Sequence, residues 1–382
     1  MERVAIIGIG LHPFGRTPGM SGLDQGVFAA RKALDDAGLK WSDIGIAFGG
    51  SRSSGHAMAA TNQLGLTGLP FINLYTGCAT GGSSLFAAAN AIKSGAAKYA
   101  MAIGFDKHER GAFSPSAKNN DIPSWVSETG LMVTTQFFAL KLQRYMHDYN
   151  ISHDTLVKVA EKAFKNGSLN PNAWRKSIVS YKEIAESKMI NDPLRKYMFC
   201  SPAEGGAALI LTSETEVRKM GVKAVFLEAT EMRTKNYGSF EVYDTCLAAN
   251  IQPTATSNAA KAAFESAGIG PDDIDVLQIQ DTEVGAEIMH LAENGFCKHG
   301  DQESLIQNGE TLISGRIPVN TDGGCIANGE PIGASGLRQV YEICLQLRGQ
   351  AGSRQVLNSP KVGYTHVYGS PGVSAVNILA TS

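Results

Sequence analysis

The chain has 382 residues, of which 43% are hydrophobic and 18% are charged, and its formal net charge at pH 7 is −2. A chain of this length can bury a large core and can form two domains of ordinary size. The charge balance suggests neither a nucleic-acid footprint nor a membrane-surface patch, and the six cysteines lack the spacing of a zinc site or a disulfide framework.

The N-terminus predicts a first strand in a cytoplasmic protein. The apolar run over residues 4–7 is too short for a signal peptide and soon meets Pro13. Gly8 and Gly10 follow this run, but no third glycine comes at the spacing of a dinucleotide-binding loop, which favours an ordinary turn. Because no apolar run approaches transmembrane length, we expect a soluble, reduced, cytoplasmic protein.

Residues 29–50 and 259–280 repeat one pattern when the chain is shifted by 230 positions. In each copy an amphipathic helix ends at a glycine, and a short turn then leads into a strand. A repeat at this period indicates a duplicated domain, because a solenoid would repeat many short units. We therefore predict an N-terminal half over residues 1–220 and a C-terminal half over residues 221–382, packed about a pseudo-twofold axis.

Cys78 lies on a tight turn between a predicted strand over residues 69–74 and an alanine-rich helix over residues 83–92. Free N–H groups at a helix start favour an anion, so a thiol placed there ionises more readily and becomes more nucleophilic. Small neighbours such as Gly77 let a substrate carbonyl approach backbone donors that stabilise its oxyanion. A buried structural cysteine is the alternative, but the setting of the turn favours a catalytic nucleophile.

The second half has a comparable small-residue turn, in which Glu330 precedes a helix predicted over residues 333–347. If the two turns meet where the halves pack, Cys78 and Glu330 approach each other from opposite halves. Residues from about 115 to 200 form a polar segment rich in Asn and Lys, which ends at Tyr197-Met198-Phe199-Cys200. We interpret this segment as a cap over the site.

The chain also contains a set of motifs in a fixed order: NLYTGCATGGSS (73–84), RYMHDY (144–149), NPNAWRK (170–176), NTDGGCIANGEPIGASG (320–336) and HVYGSPG (366–372). Together they resemble the thiolase superfamily, in its sterol-carrier-protein thiolase and lipid-transfer branch, over essentially the whole chain. The resemblance implies an α/β class with a duplicated αβαβα layered fold: two mixed five-stranded sheets, buried helices between them, and a cap region. It also implies that Cys78 is the acyl-accepting nucleophile, and that the N–H groups of Cys78 and Gly369 form an oxyanion hole.

The site motifs depart from the usual pattern of that branch in two places. Its thiolases carry His-Asp-Cys-Phe and Gly-His-Pro, where this chain has Gln280-Asp281-Thr282-Glu283 and Gly329-Glu330-Pro331. Both usual histidines and the second usual cysteine are therefore absent. A desolvated Glu330 has a raised pKa and can take the thiol proton and return it, or it can merely cap the following helix. Gln280 can position a water in a second oxyanion hole, or it is a satisfied core amide.

Four further residues are candidates, each with a simpler structural interpretation. His56 follows a loop after a predicted strand and is otherwise a surface histidine. Cys325 can serve as the second acid or base, or it is a small buried hydrophobe. Tyr368 can donate a hydrogen bond beside the oxyanion glycine, and Glu283 can replace lost acid–base capacity or form a salt bridge. The run Asp106–Arg110 is most simply a solvated charge run, one of whose cations can meet a substrate carboxylate.

The leading hypothesis is a thiolase-type acyltransferase that cleaves a bulky 3-oxoacyl-CoA, aromatic or α-substituted and of the benzoylsuccinyl-CoA kind, through an acyl-enzyme on Cys78. No metal or bound cofactor is expected, and coenzyme A is the co-substrate. One alternative is a retro-aldolase acting on a β-hydroxyacyl-CoA, like the steroid side-chain-cleaving members of the branch, which generally lack this cysteine. The other is a non-catalytic scaffold subunit of the same fold. The resemblance further implies β-oxidation-like chemistry and a homodimer, joined in some members by a small OB-fold and zinc-ribbon acyl-CoA-binding subunit.

Overall fold

The computed structural model describes residues 2–244, 246–357 and 359–381. Within these ranges the chain forms eleven β-strands and thirteen α-helices. The strands are β1 (Val4–Gly15), β2 (Ile46–Gly50), β3 (Phe71–Asn73), β4 (Tyr99–Lys107), β5 (Met189–Asn191), β6 (Leu194–Arg195), β7 (Glu204–Ser213), β8 (Val225–Thr234), β9 (Val276–Ile279), β10 (Val362–Gly369) and β11 (Val373–Ala380). The α-helices are α1 (Gly22–Ala37), α2 (Thr61–Leu64), α3 (Thr80–Lys93), α4 (Ser124–Glu128), α5 (Thr134–Tyr149), α6 (His153–Ser168), α7 (Tyr181–Ala185), α8 (Glu214–Met220), α9 (Ala255–Ala267), α10 (Val284–Glu293), α11 (Gln302–Gln307), α12 (Gly324–Asn328) and α13 (Ser335–Leu347).

A mixed sheet of nine strands, in the order β3-β2-β4-β7-β1-β8-β11-β10-β9, runs through both halves. Parallel pairs join β2 to β3 and β4, and β9 to β10, whereas the other pairs are antiparallel. The halves contribute five and four strands and are joined where Val4–Ile6 pairs with Val225–Leu227. The predicted α/β class is therefore confirmed, but the prediction of two five-stranded sheets differs in count, because this short antiparallel ladder fuses them.

Helices α3 and α13 form a buried layer between the halves. They contact each other, and each also contacts strands of the opposite half, α3 against β8 and β11 and α13 against β1, β4 and β7. Leu85 and Leu337 on these helices are fully buried in the largest apolar cluster. The two helices cross closely at small residues, because a Cβ on Gly81 would lie only 2.8 Å from the backbone nitrogen of Leu337.

The internal repeat is present in the structure as a repeated unit of helix, turn and strand. Helices α1 and α9 end at Gly38 and Gly268, whose φ angles of 65° and 69° lie in the left-handed region that glycine adopts without strain. A short 3₁₀ turn follows in each half, Trp41–Asp43 and Pro271–Asp273, and leads into β2 and β9. The repeat predicted from the sequence is therefore confirmed for these elements.

The predicted cap folds as α4 to α7 with the two-stranded sheet of β5 and β6. Its longest helices, α5 and α6, pack against α10, and α6 also contacts α11 and α12. Leu142, Leu156 and Phe164 from the cap share an apolar core with Ile288 of the C-terminal half. The cap is thus fixed on that half by its own buried core. Among the described residues, no helix combines the length and apolarity needed to cross a bilayer.

Candidate active site

Cys78 lies on the turn between β3 and α3, and the helix begins at Thr80, earlier than the sequence predicts. Gly77 has a φ angle of +59°, and a Cβ there would lie 2.8 Å from the carbonyl oxygen of Ser370, so this position requires glycine. The Thr80 hydroxyl donates to the Gly77 carbonyl (2.6 Å) and accepts from the Thr76 N–H (3.0 Å). These bonds hold the turn so that the Cys78 thiol faces a cavity.

Glu330 reaches the same cavity from the C-terminal half, on the loop between α12 and α13, and its side chain is fully buried. Its carboxyl group lies close enough to the Cys78 thiol for each group to shift the pKa of the other. It also accepts from Gln280, whose Nε2 lies 2.9 Å from Oε1, and from Cys200, whose Sγ lies 3.6 Å from Oε2. One carboxyl group is therefore contacted by two thiols and one amide, and the predicted approach of Cys78 and Glu330 is present in the structure.

The end of the cap runs between the loops that carry Gln280 and Glu330. The N–H of Cys200 donates to the Thr282 carbonyl (2.9 Å), and the N–H of Glu330 donates to the Ser201 carbonyl (2.9 Å). This backbone pairing places the Cys200 thiol beside the carboxyl group. Sequence reasoning assigned no function to Cys200, because its place depends on pairing between distant segments. The one available signal was that the cap returns to the site at this cysteine.

Gln280, which stands in place of the usual histidine, and the retained Asp281 have separate structural positions. The Gln280 N–H donates to the His366 carbonyl (3.0 Å), which fixes the amide beside the carboxyl group. Asp281 is fully buried and accepts hydrogen bonds from the N–H groups of Cys325 (2.6 Å) and Ile326 (3.3 Å), in the first turn of α12. It thereby anchors the helix that leads into the carboxyl-bearing loop.

Electrostatics at the site favour the protonated forms of both acidic partners. Burial raises the pKa of Cys78 well above its ordinary value, and the charge of Glu330 raises it further, against a smaller opposite effect of Arg52. Burial also raises the pKa of Glu330, partly offset by its hydrogen bonds with Cys78, Gln280 and Cys200. The helix start predicts an easily formed thiolate, but burial outweighs that effect and the thiol keeps its proton. A carboxyl group with a raised pKa is a better-matched acceptor for such a thiol proton.

The cavity in front of these groups has a volume of about 590 Å³. Its walls come from the nucleophile turn, the loop after β2, the cap and the loop that follows β10. Among the described residues, no group of three or more His, Cys, Asp or Glu side chains is placed to hold a metal ion. The aromatic lining residues are Tyr75, Phe113, Phe137, Phe138, Phe199 and Tyr368.

Gly369 and Tyr368 lie at the end of β10, against the nucleophile turn. A Cβ on Gly369 would come within 2.3 Å of the Thr76 carbonyl oxygen, so this close approach of the two backbones requires glycine. Within the described chain, the N–H of Cys78 donates to no acceptor. Tyr368 lines the cavity, but its hydroxyl donates to the buried Glu241 (2.9 Å) and is committed to that bond.

The other sequence candidates lie outside the group around Glu330. Glu283 is fully buried, and its carboxyl group accepts from the N–H of Gly285 at the start of α10; burial raises its pKa to about 8. Cys325 is fully buried in α12, with its Sγ 3.9 Å from Nη2 of Arg338. His56 is exposed and does not line the cavity. The structure therefore does not bring these three side chains to Cys78.

Asp106 ties together two loops that border the cavity. It is fully buried and accepts from the N–H groups of Arg52 (3.0 Å) and Ser53 (2.8 Å) on the loop after β2. It also accepts from the N–H of Gly333 (2.9 Å) on the loop that leads into α13. The prediction of a solvated charge run over Asp106–Arg110 is wrong for Asp106 and His108, which are both buried; backbone donors from both halves converge on the Asp106 carboxylate.

Comparison with known proteins connects this site to a family. A protein-family model described as thiolase C-terminal domain-like matches residues 241–381. Human sterol carrier protein 2 is 32% identical over 398 residues, covering 99% of this chain and 72% of the relative. Acetyl-CoA acetyltransferase of Methanothermobacter thermautotrophicus is 31% identical over 390 residues and the full length of both chains. Benzoylsuccinyl-CoA thiolase subunit BbsB of Thauera aromatica is 28% identical over 378 residues, covering 96% and 95%.

The fold itself is shared with solved structures. The structure titled Ltp2-ChsH2(DUF35) aldolase superposes with a TM-score of 0.88 at 24% sequence identity, covering 100% of this chain and 98% of the other. At this level of identity the likeness concerns the fold alone.

Proposed function

Because this chain belongs to the thiolase superfamily, in its sterol-carrier-protein branch, we propose that it is an acyltransferase that cleaves a 3-oxoacyl-CoA with coenzyme A. The observation that carries the proposal is the meeting of the Cys78 thiol with the buried Glu330 carboxyl group at one cavity. A nucleophile beside a general base, with backbone donors nearby, is the arrangement that acyl transfer requires.

In the first half-reaction the Glu330 carboxylate takes the Cys78 proton as the sulfur attacks the 3-keto carbon. The new S–C bond places negative charge on the keto oxygen, which the N–H groups of Cys78 and Gly369 stabilise. Collapse of this intermediate breaks the C2–C3 bond and leaves the acyl group on Cys78. The departing CoA thioester enolate takes a proton from the Cys200 thiol, which lies on the other side of the same carboxyl group.

The second half-reaction returns both protons. The thiol of free coenzyme A gives its proton to the Cys200 thiolate and attacks the acyl-enzyme carbonyl. The Cys78 thiolate then leaves and recovers its proton from the Glu330 carboxyl group. Gln280 keeps that group in place through its 2.9 Å hydrogen bond during both steps. In this scheme Glu330 replaces one usual histidine, and Cys200 supplies the thiol that the usual motif would carry.

The acyl group that fits this cavity is bulky and aromatic or α-substituted. The cavity beside Cys78 has a volume of about 590 Å³, which is more than an acetyl group fills. Its aromatic walls match an aromatic ring. The name of the relative benzoylsuccinyl-CoA thiolase subunit BbsB supports this substrate class. The proposed setting is a cytoplasmic, β-oxidation-like chain-shortening step.

We also propose two assemblies, a homodimer and a complex with a small partner subunit. A homodimer can form along β3, which is an edge strand of the sheet, where Ile72 (45%) and the adjoining Tyr75 (55%) are exposed. A small OB-fold and zinc-ribbon subunit that binds acyl-CoA is the second expected partner. The comparisons support it, since the relative BbsB is a thiolase subunit and the solved Ltp2-ChsH2(DUF35) aldolase joins two proteins. Light scattering of the purified protein, alone and with co-expressed partners, tests both.

Mass spectrometry of the trapped intermediate tests the proposed chemistry. Incubation with 3-oxo-3-phenylpropanoyl-CoA, without free coenzyme A, should leave a benzoyl group on the peptide that contains Cys78. Cys78→Ala should abolish the adduct, and Cys246→Ala, which changes an exposed cysteine, should keep it. Absence of any adduct on Cys78, with intact substrate recovered, would reject the acyltransferase proposal.

A retro-aldolase is the second candidate, favoured by the absence of an imidazole at Gln280 and Glu330. In that reaction Glu330 would take the proton of a β-hydroxyl group, and Cys78 would form no bond to the substrate. Turnover of a β-hydroxyacyl-CoA that survives Cys78→Ala and needs no added coenzyme A would establish it. A protein that is inert in both assays fits the third hypothesis, a non-catalytic scaffold.

A further inference from the structure

Arg52 is a positively charged residue of the cavity wall whose side chain has no ion-pair or hydrogen-bond partner in the described chain. It lines the same cavity as Cys78, on the loop after β2. Within the described chain, its guanidinium group forms no ion pair and donates no hydrogen bond, and it lies 5.4 Å from the centre of the Phe113 ring. Among the lining residues the single carboxyl group is that of Glu330, and the other cation is Lys196. Once Glu330 carries a proton, the lining is therefore cationic.

The loop that carries Arg52 is held rigidly. The Arg52 N–H and the Ser51 hydroxyl both bond to the buried Asp106 carboxylate, at 3.0 and 2.8 Å. The Ser53 hydroxyl contacts Nδ1 of the buried His108 (2.8 Å). The backbone of Arg52 is therefore fixed, and its exposed side chain, which has no hydrogen-bond or ion-pair partner in the described chain, is available to a ligand.

The anion that Arg52 meets is a carboxylate of the acyl moiety, because Arg52 lines the same cavity as the reacting sulfur. Tyr75 of the nucleophile turn and Phe113, whose ring centre lies 5.4 Å from the guanidinium group, line that cavity with them. The phosphates of coenzyme A are held away from the thioester by the long pantetheine arm. An arginine that lines the cavity of the reacting sulfur is therefore placed for the acyl end of the ligand.

We propose that Arg52 recognises a free carboxylate on the acyl group, so that the preferred substrates are 3-oxoacyl-CoA esters with a second, uncombined carboxyl group. This inference rests on the proposed function, because it takes an acyl-CoA as the ligand of the cavity. A planar guanidinium group can bind a carboxylate through two parallel hydrogen bonds, which fixes the acyl chain as well as attracting it.

The test compares two acyl-CoA ligands that differ in one terminal group. Succinyl-CoA ends in a carboxylate, and butanoyl-CoA has the same chain length and ends in a methyl group. Titration calorimetry in a Cys78→Ala background measures binding without turnover. The Arg52 parent should bind succinyl-CoA roughly tenfold or more tightly than butanoyl-CoA. Arg52→Gln should remove that preference and leave butanoyl-CoA affinity unchanged, and Arg52→Lys should restore part of it.

Lys196→Gln is the matched control, because it removes the other lining cation. It should leave the ratio of the two affinities unchanged. The inference fails, while the proposed function stands, if the parent binds both ligands equally or if Arg52→Gln weakens both to the same extent. It fails likewise if Lys196→Gln is the change that removes the preference. If neither acyl-CoA binds the parent, the proposed function itself is rejected, and this inference with it.

Discussion

The Cys200 thiol and the Glu330 carboxyl group are hydrogen-bonded across the junction of the cap and the C-terminal half, with Sγ 3.6 Å from Oε2. Cys78 contacts the same carboxyl group from the N-terminal half. The protonation state of one buried group therefore acts on both sulfurs.

Cys200→Ser separates the two half-reactions. A serine hydroxyl keeps its proton far more tightly than a thiol, so it should protonate the departing enolate less readily and should fail to activate coenzyme A, which makes the second half-reaction the more sensitive step. We expect acyl-enzyme formation to stay within about tenfold of the parent and coenzyme A-dependent turnover to fall by roughly 100-fold. Rapid-quench mass spectrometry and steady-state assays measure the two steps, and Cys246→Ser is the control. If the rates of both steps fall equally, or if turnover is unchanged, Cys200 is not the group that activates coenzyme A.

Glu330→Gln removes the proposed base and should lower kcat/KM by roughly 10² to 10⁴-fold. In the parent the carboxylate must be free of its proton to accept one from Cys78. Because burial raises the pKa of Glu330, activity should fall as pH decreases through a value above that of an ordinary glutamate. The pH profile of kcat/KM checks this, and Glu330→Gln should lack that acidic limb. Glu109→Gln, on an exposed side chain, serves as the control. If kcat/KM still falls at low pH in Glu330→Gln, a different residue is the base.

Gln280→Leu should move the acidic limb of the same profile to higher pH. The Gln280 amide donates to the carboxylate and so lowers the pKa of Glu330 against the effect of burial; without that donor the pKa rises further. Gln339→Leu is a matched change of a buried glutamine whose side chain makes no hydrogen bond to Glu330 within the described chain. An unshifted limb in Gln280→Leu, with activity retained, shows that the hydrogen bond does not tune the base.

Glu283→Gln should change how stability depends on pH. Burial raises the pKa of Glu283 from 4.5 to about 8 in the folded state, so between those values the unfolded chain releases this proton while the folded chain keeps it. Stability is therefore full below the lower value and is lost as pH rises, by up to about 1.4 kcal/mol per pH unit. Urea unfolding at several pH values should show this slope in the parent and its reduction in Glu283→Gln. Parallel curves for the two proteins contradict the expectation.

Features that depend on the local sequence pattern could be predicted from the sequence. The repeat, the glycine-capped helices and the turn at Cys78 follow from short-range signals of periodicity and turn residues, and the structure has them. The meeting of Cys78 with Glu330 followed from the symmetry of the two halves together with the motif order. These inferences needed no knowledge of how distant side chains pack.

Features set by tertiary pairing lay beyond the sequence. Cys200 reaches Glu330 only because the end of the cap pairs with two loops of the C-terminal half. Asp106 is buried because donors from both halves converge on it, although the four residues that follow it are charged or titratable. The thiol of Cys78 keeps its proton because burial raises its pKa more than the start of the helix lowers it. Each outcome depends on contacts between residues far apart in the chain.

The cap both shapes the pocket and carries a thiol. Ile190, Lys196 and Phe199 line the cavity from this segment, and Cys200 follows them directly. Grafting a foreign cap to redirect substrate choice would therefore also replace Cys200, and a chimera that keeps the proposed role of this thiol needs a cysteine at the end of the cap.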